Sequence, residues 1–265
     1  MKGVVGYDLT RLIVGSEGTL AVFTKAVLRL IPLPQATKTI LAVFPADLRA
    51  ACETVSKLIS ARIVPSTLEL MDSLSVQCAD DYAGIGLPKD SSLLLIEVDG
   101  SADSVISDSS TIEAICKENG AYSVKAASDS KEVKNLWKAR RAISASLFRL
   151  KPDKLNEDVV VPRSEIPGLA KGIREIAKAR GLTIACFGHA GDGNIHVNVM
   201  FDKRDSEEVL RAEAAIEDIF SLALSLRGTI SGEHGVGITK AKYLGMELDA
   251  PSIELMKRVK KAFDP

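Results

Sequence analysis

From residue 36 onward, the apolar positions alternate between the period of a strand and the period of a helix. Thr37–Phe44 (TKTILAVF) reads as a strand, and 46–62 has helical spacing with Leu48, Ala51, Val55 and Leu58 on one face. Ser66–Met71 predicts a second strand, 73–82 a helix, and Ser92–Val98 (SLLLIEV) a third strand ended by Asp99-Gly100. A helix over 102–119 is stopped by Gly120, 121–126 is a strand, and 130–150 is a long helix carrying Trp137, Arg140 and Arg141. Asp158–Val161 predicts a strand closed by Pro162, and 165–180 a helix stopped by Gly181. Two strands, 182–188 and 195–201, then flank a glycine-rich turn, and a helix over 205–227 is stopped by Gly228. Helical patterns return over 238–244 and 250–263, and no clear repeat is visible.

Residues 1–34 look different. They are rich in glycine and β-branched residues, end at Pro32 and Pro34, and predict strands at Val22-Phe23-Thr24 and Val27–Ile31. Such a stretch is too short for a domain and reads as the terminal piece of another one. The remaining order favours an α+β fold, an antiparallel sheet with helices on one face. A doubly wound parallel sheet is the alternative, but no GxGxxG turn accompanies a strand and helix.

Composition narrows the function. With 265 residues, 46% of them hydrophobic, the chain can bury a core in one large domain or two small ones. Its 34 basic and 35 acidic residues leave a net charge of -1, so no basic field is available for nucleic acid or anionic lipid. No apolar run reaches the ~18 residues of a membrane span, and the N-terminus lacks the apolar core of a signal peptide. Cys52, Cys78, Cys116 and Cys186 form no CxxC pair and read as reduced, packed thiols of a cytoplasmic protein.

The chemistry concentrates in two segments. GHAGDGNIH holds His189 and His196, and SGEHG holds Glu233 and His234. Gly191-Asp192-Gly193-Asn194 is a strong turn signal, because glycine and asparagine tolerate positive φ. A hairpin there would set the two imidazoles side by side, where they can share one metal ion. Glu233 would add a carboxylate. Asp192 is the alternative, although an aspartate inside a tight turn more often bonds its own backbone. Two histidines and a carboxylate with open positions suit zinc, manganese or ferrous iron. If Glu233 faces the metal, His234 faces another way and is free to act as a base. A bracing hydrogen bond within the loop is the plainer role for it. Arg140 and Arg141 offer the planar fork that binds carboxylates, although by themselves they read first as a solvated helix face.

Four stretches, YDLTRLIVGSEGTLAVFT, LWKARRA, FGHAGDGNIHVNV and GTISGEHGVGITK, resemble the FAD-linked 2-hydroxy-acid dehydrogenases. These include the glycolate oxidase flavoprotein subunit, D-lactate dehydrogenase and D-2-hydroxyglutarate dehydrogenase, of the vanillyl-alcohol oxidase type. The resemblance implies oxidation of a D-2-hydroxy acid to the 2-oxo acid, with FAD as hydride acceptor. It implies that residues 1–34 are the end of an FAD-binding domain and 35–265 a ferredoxin-like substrate and metal domain. It further implies that the rest of the FAD domain is missing, so that FAD binds weakly or not at all and the chain alone is inactive. A separate subunit completing the site is the other possibility.

Residue by residue, the resemblance assigns His189, His196 and Glu233 to the metal and His234 to the base. Arg140, Asn198 and Ser144 fall at substrate positions, and Lys154 is the nearest counterpart of a substrate-binding lysine. Gly15, Glu17, Gly18 and Thr19 match positions that approach FAD. The implied partners are a small hydroxy acid, the missing FAD-binding portion and an electron acceptor. The implied setting is the cytoplasm, with attachment at a membrane through partner subunits as a variant. A binding module that holds metal or a small acid without catalysis, and a purely structural domain, are the competing functions.

Overall fold

The computed structural model describes residues 5–265. Their contacts divide them into two units, Leu33–His234 and a second made of 5–32 with 235–265.

In the larger unit the strands are β1 (Ala36–Pro45), β2 (Thr67–Met71), β3 (Ser91–Gly100), β4 (Ser123–Ala126), β5 (Asp153–Val160), β6 (Thr183–His189) and β7 (Asn194–Phe201). They form one seven-stranded sheet in the order β4-β1-β3-β2-β6-β7-β5, and every pairing is antiparallel. With α1 reserved for the smaller unit, its helices are α2 (Arg49–Ser60), α3 (Ser73–Ala83), α4 (Ala102–Glu118), α5 (Ser130–Ser146), α6 (Ile166–Arg180) and α7 (Ser206–Ser225). The α+β antiparallel class is therefore as expected. The first half, β1-α2-β2-β3-α4-β4, has the βαββαβ order of a ferredoxin-like unit with α3 inserted. β5-α6-β6-β7-α7 starts the same order again, and Thr229 then bridges Val160 antiparallel where a last strand would lie. This is a structural repeat with no visible sequence repeat, because topology constrains only the burial pattern. The halves join along β2 and β6.

Helices cover both faces of the sheet, a correction to the one-face expectation. Leu70, Cys186 and Ile195 point one way, against α6. Val43, Met71, Leu93, Leu95 and Phe187 point the other way, packed with Ala139 and Ile143 of α5 and Val76 of α3. The physical reason is that β7 is buried at every position and β3 at seven of its ten, so neither face can be left to water. Each such side chain contributes roughly 1.5–3 kcal/mol on burial. The second face also carries a polar set. Because side chains alternate along a strand, the register places Glu69, His189, His196, Asn198 and Asp158 all on it. β5 begins at Asp153, earlier than Asp158, because Lys154 to Glu157 find partners on β7.

The smaller unit contains α1 (Leu9–Ile13), α8 (Leu244–Glu247) and α9 (Ala250–Phe263). Asp8 caps α1 and Asp249 caps α9, and Lys260 Nζ donates to the Thr19 carbonyl at 2.6 Å. The two strands expected over 22–31 do not form. A strand exists only with a partner to take its hydrogen bonds, and among the described residues none pairs with this segment. Val22, Phe23, Val27 and Leu28 are exposed there. The helix expected over 238–244 is reduced to a 3-10 turn, Ala241–Tyr243, leading into α8, after Gly235 and Gly237 at positive φ.

Candidate metal centre

β6 and β7 form the expected hairpin, closed by residues 190–193. Gly193 has φ +87°, and a Cβ there would also strike the Val161 carbonyl, so this position requires glycine. Asp192 accepts a hydrogen bond from the Asn194 N–H at 3.1 Å, spending its carboxylate on the turn. His189 pairs with Asn194 and His196 with Phe187, so the two histidines are diagonal neighbours on one face rather than directly opposite. Their rings meet edge to face with centroids 5.3 Å apart.

Glu233 arrives from the loop after Thr229. Asp158, 0% exposed, lies across the ladder from His196 and accepts the backbone N–H groups of Gly232, Glu233 and His234 at 2.9, 2.5 and 3.0 Å. Gly232 passes close to its neighbours, and a Cβ there would come within 2.7 Å of the Asn194 side chain and Val160. The loop thus brings Glu233 Oε1 to 3.4 Å from His189 Nε2 and 3.3 Å from His196 Nε2. The ligand-type atoms of these three residues all lie within 4.8 Å of one another. Two imidazole nitrogens and a carboxylate oxygen converge, a donor set that fits a divalent zinc, manganese or iron ion. Burial, then the charge of His189, pushes His196 down to about 4, so its lone pair is not taken by a proton near neutrality. His234 stacks on His196 with centroids 5.2 Å apart and planes 15° apart, and its Nδ1 is 3.5 Å from Asp158 Oδ1.

Behind the histidines stands Glu69 of β2, 4% exposed. Its Oε1 is 2.6 Å from His189 Nδ1, and its Oε2 accepts from Arg140 Nε and a terminal guanidinium nitrogen at 2.7 and 2.6 Å. Burial alone would raise the Glu69 carboxyl, but the bond to His189 and the charge of Arg140 together hold it below its ordinary value. That same bond raises His189. Arg140 also lies over the Phe187 ring, 4.8 Å from its centroid. Glu69 and Asp158 escape sequence reasoning, because Glu69 is a single acidic residue inside an apolar strand and Asp158 follows Glu157 at the end of a polar run, neither with a motif around it. The one available signal is a charge amid apolar neighbours, as in TLELM.

The other expected positions fall as follows. Asn198 is fully buried beside His196 on the same face, and its Oδ1 has no hydrogen-bond partner. Lys154 Nζ donates to the Ser144 Oγ and carbonyl at 2.7 and 3.0 Å, and burial lowers its pKa. In the smaller unit Gly15, Glu17 and Gly18 have φ of +85°, +52° and +74°, and Thr19 Oγ1 donates to the Ser16 carbonyl. The Glu17 carboxylate lies against Gly235. A cleft of about 730 Å³ opens beside Glu69 and His189 and runs past Trp137, Pro65 and Arg163.

The fold and site define an α+β domain in which two histidines of the sheet and one carboxylate from a loop converge. Residues 33–265 match the family of FAD linked oxidases, C-terminal domain, and the chain belongs to it. It is 48% identical to "Glycolate oxidase subunit GlcD" of Bacillus subtilis (strain 168), over 100% of this chain and 56% of that protein. It is 35% identical to the protein of the same name in Escherichia coli (strain K12), over 98% of this chain and 52% of that one. It is 32% identical to "Probable D-lactate dehydrogenase, mitochondrial" of Danio rerio, over 100% of this chain and 53% of that one. The chain thus spans about half the length of these relatives. In fold it is similar to alkyldihydroxyacetonephosphate synthase, with TM-score 0.65, 16% identity, and coverage of 100% of this chain and 50% of that one. It is likewise similar to p-cresol methylhydroxylase, with TM-score 0.67, 14% identity, and coverage of 89% and 52%. Among the described residues, no helix is long and apolar enough to cross a membrane.

Proposed function

We propose that this chain forms the substrate- and metal-holding part of a flavin-dependent dehydrogenase that oxidises a small D-2-hydroxy acid, of the glycolate or D-lactate kind, to its 2-oxo acid. The observation that carries this is the convergence of His189, His196 and Glu233 with His234 stacked alongside. The names of the relatives support it. His189, His196 and Glu233 would hold the divalent ion, which supplies Lewis acidity toward the carboxylate and hydroxyl oxygens of the acid. FAD supplies the hydride acceptor when bound. Residues 1–34 belong with its binding portion, and Gly15, Glu17, Gly18 and Thr19 stand at its edge.

The remaining steps belong to this chain. Arg140, with two of its three guanidinium nitrogens held by Glu69, presents its remaining terminal nitrogen to the substrate carboxylate. Fully buried Asn198 backs the substrate position from the same face as His196. Ser144 and Lys154 contact the acid together. His234 takes the hydroxyl proton at a ring nitrogen, with Asp158 beside Nδ1 favouring Nε2 as the atom that receives it. Partner subunits and an electron acceptor complete the turnover in the cytoplasm.

Water-proton relaxation with Mn2+ tests the assignment. The protein should take up the ion, and D-lactate should displace its bound water more effectively than L-lactate. Lack of binding of Mn2+, Zn2+ and Fe2+ alike in wild type overturns the metal assignment. Uptake with no response to any 2-hydroxy acid overturns the substrate class and leaves a metal-binding module.

A further inference from the structure

We infer that Glu69 is the positioning residue of this centre: it fixes His189 with its proton on Nδ1 and its lone pair on Nε2, and it anchors Arg140 with its other oxygen. The consequence for metal rests on the function proposed above; the tautomer does not.

The chain of reasoning starts from donors and acceptors. Glu69 and Arg140 form a buried pair, with two guanidinium nitrogens at 2.6 and 2.7 Å from one carboxylate oxygen. Arginine stays charged in proteins, so the carboxylate facing it is ionised and only accepts hydrogen bonds. The second oxygen lies 2.6 Å from His189 Nδ1, so that nitrogen must carry the proton. A neutral ring then has its lone pair on Nε2, the atom turned toward Glu233. Both oxygens of Glu69 are occupied in this way, which separates its role from that of a ligand. The contact is also non-local. Glu69 lies 120 residues from His189 and 71 from Arg140 in sequence, and it reaches both only because β2 pairs with β6 at the seam between the two halves of the sheet. One side chain therefore sets the aim of a ligand and the place of an anchor. Carboxylates behind metal-binding histidines orient rings in this manner, and their loss typically weakens metal affinity by about 10–100-fold.

Glutamine separates positioning from mere packing. In Glu69→Gln the amide offers one acceptor and one donor to two donors. Arg140 claims the oxygen, and the NH2 group then faces His189 Nδ1, which forces the proton to Nε2. Removing the arginine as well, in Glu69→Gln/Arg140→Met, lets the amide turn its oxygen back to the ring.

The experiment is nitrogen-15 NMR of the histidines in metal-free protein at about pH 9, above the ordinary histidine range, followed by zinc titration by competition. His189 is expected as the Nδ1–H tautomer in wild type, as Nε2–H in Glu69→Gln, and as Nδ1–H again in the double variant. Zinc affinity is expected to fall at least tenfold in the single variant and to recover in part in the double. An Nε2–H tautomer in wild type, or an unchanged tautomer in Glu69→Gln, overturns the inference. If Glu69→Gln does not fold, the wild-type and double-variant spectra decide it. If the tautomer responds as stated but wild type takes up none of Zn2+, Mn2+ and Fe2+, the metal assignment falls and the positioning role of Glu69 stands.

Discussion

Asp158 on β5 stands directly opposite His196 on β7, and its buried carboxylate gathers the backbone amides of residues 232–234. One charge therefore ties the loop carrying Glu233 and His234 to the strand carrying a metal-binding candidate. Asp158→Ala leaves three amides without their acceptor and should cost on the order of 3 kcal/mol. Asp158→Asn, which keeps one acceptor, should cost less. Denaturant midpoints read both costs, and zinc titration reads the release of the loop, since Glu233 then loses its place. An unchanged midpoint in Asp158→Ala would show that this carboxylate does not hold the loop.

His189→Ala and His196→Ala should each weaken zinc by about 100-fold or more, beyond the loss usual for residues behind the ligands. Chelation should lower stability without unfolding the domain, because backbone pairing between β6 and β7 and apolar packing against the sheet hold it together. For an ion at 100 times its dissociation constant, the difference is about 2.7 kcal/mol. Thermal unfolding with and without chelator measures it, and complete unfolding on chelation would show that the metal is structural.

His234 stacks on His196 and lies near Asp158, so its loss should not empty the site. Under the proposed function, in a full-length flavin-loaded protein that contains this chain, His234→Ala should reduce turnover by about 10²–10⁴-fold while metal content stays at the wild-type level. Near-wild-type turnover removes the base assignment. Loss of the ion along with activity assigns His234 to the metal instead.

The pH dependence of the metal-free protein should carry the mark of His196. Its value in the folded chain is about 4, lowered first by burial and then by the charge of His189. Unfolded, it titrates near the ordinary histidine value of about 6.5. Between these values the unfolded chain binds more protons, so stability is fully present above about 6.5 and is lost as pH falls toward 4. His189 acts with the opposite sign. Its folded value is raised by the bond to Glu69, so its contribution is present at low pH and is lost as pH rises through that value. His196→Gln should flatten the acid limb by on the order of 2 kcal/mol, less than the full shift because the two histidines are coupled. Denaturation series from about pH 4 to 7 in wild type and variant check this, and parallel curves would contradict it.

Elements with strong periodicity were legible in advance. β1, α2, α4, α9 and the hairpin of β6 and β7 lie where apolar spacing and glycine stops place them. The segment over 22–31 misled, because β-branched composition shows willingness to pair, whereas a strand needs a partner. The layering of helices on both faces was not legible either, since an apolar run in a strand does not say which element will cover it. At the site, the two histidine segments announced themselves by residue type and glycine content. Glu69 and Asp158 did not.

The sequence by itself determined which side chains are the candidates, His189, His196, Glu233 and His234, in two segments whose glycines set the local turns by short-range sterics. Only the tertiary structure decided that Glu69 backs His189 and that Asp158 carries the loop of Glu233. Those pairings depend on the register between strands far apart in the chain, where a one-residue slip would turn each carboxylate to the opposite face of the sheet.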